Sequence, residues 1–284
     1  MKKKWFLTVL MIVITIVGLK AQKSMCSSVP LTIATYNLRY DNPEDGENAW
    51  PNRKEKVKAL IQFHSFDLFG TQEGLSGMLT DLSKMKEYGW IGRGRDDGKD
   101  GGEYSAIFYR KDRFKLLQEG DFWLSETPGE PSYGWDAGIR RICSWAKFRD
   151  LKTSKEFFFF SVHFDHRGVE ARKESGKLMV RKIREIAGDF PVFCVGDLNS
   201  TPETEQIKTI KTLLKDSREI TVMPPYGPEG TFNGFRFDSS MNNRIDYIFV
   251  NDKIKVLKYA VLTDSYDCKF PSDHFPVMTK VVIN

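Results

Sequence analysis

The chain of 284 residues has only four cysteines, and no two of them form a C-x-x-C pair. That scarcity excludes a miniprotein built on disulfides and argues against a structural zinc site. Internal repeats, low-complexity stretches and Pro/Ser-rich linkers long enough to separate domains are also missing. The stretch Gly92–Gly102 is glycine-rich but has no Gly-Lys-Ser/Thr after a strand. It is therefore not read as a phosphate-cradling loop, but as a mobile surface loop. Long apolar runs are absent beyond the N-terminus. There, Lys2–Lys4 precede the apolar run Trp5–Leu19, and the small residue Ala21 follows. This is the layout of a signal peptide over residues 1–21, too short and too polar for a spanning helix; an uncleaved anchor is the alternative. Export to the periplasm or the medium is expected. Lys23-Ser24-Met25 before Cys26 is a poor lipobox, which argues against lipidation.

An excess of one charge is missing as well. The 43 basic and 38 acidic residues suggest a basic protein. Four of the lysines lie in the first 21 residues, however, and without them 39 basic face 38 acidic residues, a net charge of +1. Such a body exerts no global pull on a polyanion, so any phosphate binding has to be local.

What the chain does have is an alternation of apolar runs and amphipathic segments. Short runs rich in β-branched and aromatic residues predict strands at Leu31–Leu38, Phe66–Thr71, Tyr104–Tyr109, Arg141–Phe148, Phe157–His163, Val192–Val195, Ile245–Val250, Val256–Leu262 and Pro276–Val282. Cys143 and Cys194 fall inside two of these runs and read as buried small hydrophobes. Apolar residues at helical spacing predict helices around Val57–His64, Leu75–Leu82, Val169–Ala187 and Glu203–Lys215. The mixture suits an α/β (α+β) fold of two packed sheets with helices outside. It forms one domain over residues 30–284, after a short extension at 22–29.

Polar residues interrupt the chain where these strands end. Asn37 closes the first and Gln72-Glu73 the second; His163 ends the four-phenylalanine run, and Asp197 and Asn199 follow Val192–Gly196. Arg244 and Asp246 open another strand, and Ser272-Asp273-His274 precedes the last. Any one of these reads as a turn residue. Together they are hard oxygen donors with two histidines, a set suited to metal-assisted chemistry on phosphate.

The series Thr35-Tyr36-Asn37-Leu38, Gln72-Glu73, Val162-His163-Phe164-Asp165-His166, Gly196-Asp197-Leu198-Asn199, Arg244-Ile245-Asp246-Tyr247 and Ser272-Asp273-His274 resembles the endonuclease/exonuclease/phosphatase superfamily, over nearly the whole mature chain. The resemblance implies a four-layered sandwich, two mainly antiparallel sheets packed face to face and flanked by helices. It implies Mg²⁺, with Mn²⁺ as a substitute, held chiefly by Glu73 with Asn37 nearby and Asp273 assisting. It further implies that Asp197 orients or deprotonates the attacking water, that Asn199 fixes it, that Asp246 pairs with His274, and that His163 contacts the phosphate or assists the leaving group. The expected reaction is in-line attack of water at phosphorus.

Further motifs are similar to an exported, deadenylase-like branch: Arg39-Tyr40-Asp41, Asn48-Ala49-Trp50 with Arg53, Arg140-Arg141, and Gly230-Thr231-Phe232-Asn233. In that branch Trp50 and Phe232 would stack on a base or sugar, Arg53 or Arg141 would hold a phosphate, and Asn233 would line the substrate site. The expectation is a monomeric, exported phosphodiesterase or nuclease acting on nucleic acid or nucleotide, with no stable protein partner. The alternatives are a phosphomonoesterase or a sphingomyelinase-like enzyme on the same fold, and a non-catalytic binding protein. Phe157–Phe160 is the place to look for a membrane-inserting hairpin, although its context reads as a buried strand.

Overall fold

In a computed structural model of the protein, residues 29–238 and 240–284 are described. The expected signal peptide and Cys26 lie outside the described residues. Along the chain run strands β1 (Leu31–Asn37), β2 (Leu68–Gln72), β3 (Tyr88–Ile91), β4 (Ile107–Arg110), β5 (Phe114–Trp123) and β6 (Ile142–Asp150). They are followed by β7 (Glu156–His163), β8 (Val192–Asp197), β9 (Lys215–Asp216), β10 (Asp246–Val250), β11 (Ile254–Val261) and β12 (Val277–Ile283). The helices are α1 (Trp50–Phe63), α2 (Ser76–Leu82), α3 (Val169–Ala187), α4 (Glu205–Ile210) and α5 (Ser217–Ile220), with a 3₁₀ turn at Pro43–Asn48.

The strands form two six-stranded sheets, in the orders β11-β12-β1-β2-β4-β3 and β5-β6-β7-β8-β10-β9. Each sheet holds one parallel pair, β1 with β2 and β7 with β8, among otherwise antiparallel neighbours. A parallel pair needs a crossover, supplied by α1 in the first sheet and α3 in the second. Both pairs therefore end on the same side of their crossovers, and those ends carry Asn37, Gln72, His163 and Asp197.

Three apolar clusters make the layers. One lies between the sheets, with Ile33, Leu68, Phe157, Phe159, Val195, Ile248 and Val277. A second seats α1 and α2 on the first sheet through Val57, Leu60, Ile61, Met78 and Leu82 against Tyr36, Phe69 and Phe108. A third seats α3 and α4 on the second through Leu178, Met179, Ile183, Ile207 and Ile210 against Phe158, Phe160 and Cys194. The four-phenylalanine run is thereby explained: alternate rings fill two different cores, so both faces of β7 are buried. None of these rings is free to enter a membrane. Gly70 lets the sheets approach closely, since a Cβ there would meet Ser161 Oγ at 2.6 Å and Val195 Cγ2 at 2.7 Å.

All nine expected strands form. Three more, β3, β5 and β9, go beyond the sequence pattern; they end sheets or are very short, and β5 is mostly half-buried or exposed along its middle. The helix expected over 203–215 is confined to Glu205–Ile210, because Lys211–Leu213 tighten into a turn whose N–H groups bond back to Ile207, Thr209 and Ile210. The stretch expected to be a mobile loop, Gly92–Gly102, is tied by its own hydrogen bonds: Gly94 N–H donates to Lys99 O at 2.8 Å, and Asp97 Oδ1 accepts from the N–H groups of Lys99 and Gly101. Cys143 and Cys194 are free thiols with no exposure, and burial pushes the Cys194 thiol up to about 12.

Candidate active site

The ends of the central strands of both sheets meet in one cleft of about 560 Å³. Strand register does most of the positioning. His163 lies opposite Asp197 in the parallel pair β7–β8, and Asp246 lies opposite Asp197 in the antiparallel pair β8–β10. Gly196 allows the approach: with φ 152°, a Cβ there would fall 1.9 Å from Val162 O. Three other residues of the site, Arg39, Glu73 and Asn199, hold positive φ without being glycine (53°, 61° and 45°). Such backbone strain persists only where surrounding contacts over-determine it, and it gathers at functional sites.

Asn37 joins the two sheets. Its Nδ2 lies 2.9 Å from Glu73 Oε1 and 3.0 Å from Asp197 Oδ2, while its Oδ1 accepts the Arg39 N–H at 3.0 Å. The amide therefore acts as a bridge between two carboxylates, with its oxygen already engaged. Glu73 Oε2 accepts the Tyr40 N–H at 3.1 Å. Asp197, 1% exposed, also accepts the Asn199 N–H at 2.9 Å. Burial, then the charge of Asp246, pushes its carboxyl up to about 7. A carboxylate at that value is matched to proton transfer near neutral pH.

His274 donates from Nδ1 to Asp246 Oδ2 at 2.9 Å and faces Asp197 Oδ2 from Nε2 at 3.8 Å. Burial opposes its charge, but Asp246, Asp197 and Asp273 together outweigh burial and hold the imidazolium well above the usual histidine range. His163 is the opposite case: burial and the guanidiniums of Arg141 and Arg95 keep the ring neutral. Burial raises the Asp273 carboxyl too, against the pull of His274. Asp273 Oδ2 lies 3.9 Å from Arg39 Nε. Ser272 Oγ donates to Asn37 O at 2.7 Å, which locks the Ser272-Asp273-His274 loop onto the end of β1.

These residues fit a divalent cation. Glu73, Asp197 and Asp273 offer hard carboxylate oxygens to one cleft, and donor atoms of Glu73, His163 and Asp197 lie within 4.8 Å of one another, as do those of Asp197, Asp246 and His274. Asp246 Oδ1 is buried with no hydrogen-bond partner among the described residues. Crowded carboxylates of this kind suit Mg²⁺ or Mn²⁺.

Of the expected substrate-binding residues, Arg141 and Phe232 line the cleft, whereas Trp50, Arg53 and Asn233 do not. Trp50 is buried, and its indole donates to Asp81 Oδ2 at 3.2 Å, so it offers no stacking face in the cleft. Arg53 is 3% exposed and spends its guanidinium on the carbonyls of Asn48 (2.6 Å), Leu38 (2.5 Å), Arg39 (2.7 Å) and Pro271 (3.0 Å); it is a buried staple, not a phosphate clamp. Asn233 is buried and ties its loop to the Ser272-Asp273-His274 loop by donating to Ser272 O at 3.1 Å. Arg141 does line the cleft, but each arm of its fork already meets a protein group. Phe232 lines the cleft 37% exposed, edge-on to His274 with ring centroids 5.1 Å apart. The cleft also holds residues that the sequence pattern leaves without a role: Arg39, Tyr40, Glu103, His166 and Arg167. Glu103 closes the glycine-rich stretch, where no strand-end pattern exposes it in the sequence. Arg95 grips it at 2.6 and 2.8 Å.

A buried carboxylate poised near neutrality, a charged imidazolium and a cation-ready cluster in one cleft define the side-chain set of a metal-dependent phosphoester hydrolase. The chain belongs to the Endonuclease/Exonuclease/phosphatase family, whose model matches residues 34–274. It is similar to the solved mannosyl-6-phosphatase of Bacteroides thetaiotaomicron, at 43% identity over 89% of this chain and 100% of that one, with a TM-score of 0.87. The human nocturnin catalytic domain with bound sulfate anion shares the fold alone, at 18% identity and a TM-score of 0.70 over 90% of this chain and 94% of that one. Among curated sequences, an uncharacterised protein, L388, of Acanthamoeba polyphaga mimivirus is 28% identical over 160 residues, 53% of this chain and 59% of that protein. The chain spans no more than about three-fifths of the length of the curated relatives it matches.

Proposed function

We propose that the protein is an exported phosphomonoesterase that removes phosphate from a phosphorylated sugar. One observation carries this reading: identity of 43% along the full length of an enzyme named mannosyl-6-phosphatase, against 18% for the nocturnin domain. The cleft of about 560 Å³ is of small-molecule size, and the near-neutral charge expected after signal removal gives no track for a polyanion. In this reading Asp197 takes the proton of the attacking water, and His274, charged and 3.8 Å away, offsets negative charge growing on the phosphoryl group. A cation held by Glu73 with Asp273 would add further charge neutralisation at the phosphoryl oxygens.

A second reading, phosphodiesterase or nuclease activity, draws on Phe232, whose exposed ring at the cleft could stack on a base. The test is Mg²⁺-dependent hydrolysis of mannose 6-phosphate, p-nitrophenyl phosphate, bis-p-nitrophenyl phosphate and single-stranded RNA, with EDTA controls. Preference for the monoesters is expected. Preference for the diester or RNA would overturn the phosphatase reading in favour of the second.

A further inference from the structure

Arg141 lies buried in the wall of the cleft and carries donors only. Its Nη1 sits 3.1 Å from His163 Nδ1, its Nη2 2.9 Å from His166 Nδ1, and its Nε 3.4 Å from Asp165 Oδ2. A guanidinium cannot accept a hydrogen bond, so a ring nitrogen facing it is best satisfied as a lone pair. For His163 a second donor competes: Asn199 Nδ2 stands 3.2 Å from Nε2. A neutral imidazole has one lone pair, so only one of the two donors can be served.

Three observations decide between them. The bond from Arg141 is charge-assisted, roughly twice as strong as one from a neutral amide. Asn199 Nδ2 keeps an acceptor for one of its two N–H groups in Phe164 O at 3.0 Å whichever nitrogen of His163 carries the proton. Asp197 Oδ2 lies 3.5 Å from Nε2, beyond a formed hydrogen bond but near enough for its negative end to favour a proton on that nitrogen.

We propose that Arg141 is a positioning residue that fixes His163 as the Nε2–H tautomer, so that the ring presents a proton rather than a lone pair to the phosphoryl group in the cleft; the use made of that proton rests on the phosphoester reading above. His163 is then a hydrogen-bond donor to the ester, and Asp197 is left as the proton acceptor. Without Arg141 the balance reverses. Asn199 donates into Nε2, and the proton moves to Nδ1, which faces Glu103 Oε2 at 3.9 Å.

The test is a long-range ¹H–¹⁵N correlation spectrum of the metal-free protein labelled at its four histidines. Wild type should show His163 as Nε2–H, Arg141→Met as Nδ1–H, and Asn199→Ala, which removes the competing donor, as Nε2–H. An Nδ1–H signal in the wild type or in Asn199→Ala overturns the proposal, and so does an unchanged tautomer in a folded Arg141→Met. Should Arg141→Met not fold, the other two spectra still decide. With the hydrolysed monoester, Arg141→Met should lower kcat by roughly 10²–10³-fold and leave KM within about threefold. A raised KM with unchanged kcat would mean that Arg141 clamps phosphate, and would refute the positioning role. If no ester is hydrolysed, the hydrolase reading fails, while the spectra still report on Arg141.

Discussion

Asp197 gives the sharpest test of the site's electrostatics, because it can be read without a substrate. Its carboxyl moves from an ordinary 3.8 to about 7 on folding, through burial first and the like charge of Asp246 second. A raised folded value means that the contribution to stability is fully present below about pH 4 and is lost as pH rises through 7. A rise of that size, with the opposing pull of His274 already included, corresponds to on the order of 4 kcal/mol. Asp197→Asn imitates the protonated carboxyl and still offers an oxygen to the Asn199 N–H. The stability of this variant relative to wild type should therefore increase by roughly 2–4 kcal/mol between pH 4 and pH 8. Urea unfolding in EDTA at several pH values measures it. A difference that stays constant with pH would refute the assignment of a strained, buried carboxyl at 197.

Other expectations concern single residues. Glu73→Gln should abolish the rise in Tm that Mg²⁺ gives the wild type by binding only the folded state; a wild-type thermal shift at low Mg²⁺ would remove Glu73 as the ligand. His274→Ala should lower kcat by roughly 10²–10⁴-fold, and a loss of tenfold or less in steady-state assays would reduce it to a structural role. Arg53→Met strands four backbone carbonyls and should cost about 3–5 kcal/mol in denaturant unfolding. If instead KM rose with stability unchanged, Arg53 would regain the role of a phosphate ligand.

The strands were legible where both faces are buried. β7 and β8 read as unbroken apolar runs because each face packs into a different core. β3 is only four residues long and holds a glycine, and β5, at the margin of its sheet, leaves Lys115, Gln118 and Glu119 exposed, so neither makes a clear apolar run. The polar residues that brought Asn37, Glu73, His163, Asp197, Asp246 and His274 to notice stood out because they break apolar runs at strand ends. Trp50, Arg53 and Asn233 stand in similar local company, yet only the fold shows that their polar atoms are consumed by Asp81, four carbonyls and Ser272. Glu103 and Arg95 pair across a loop whose course is set by its own turns, and spacing alone carries no trace of that.

The placement of β1 between β2 and β12 has a consequence for when this molecule can work. The first strand of the sheet waits for the last one to be made, and His274 arrives just before it. A chain still lacking the segment around Asp273 and His274 therefore holds most of the site's side chains but no complete centre. Activity should appear only once β12 has docked beside β1 and carried His274 to Asp197 and Asp246.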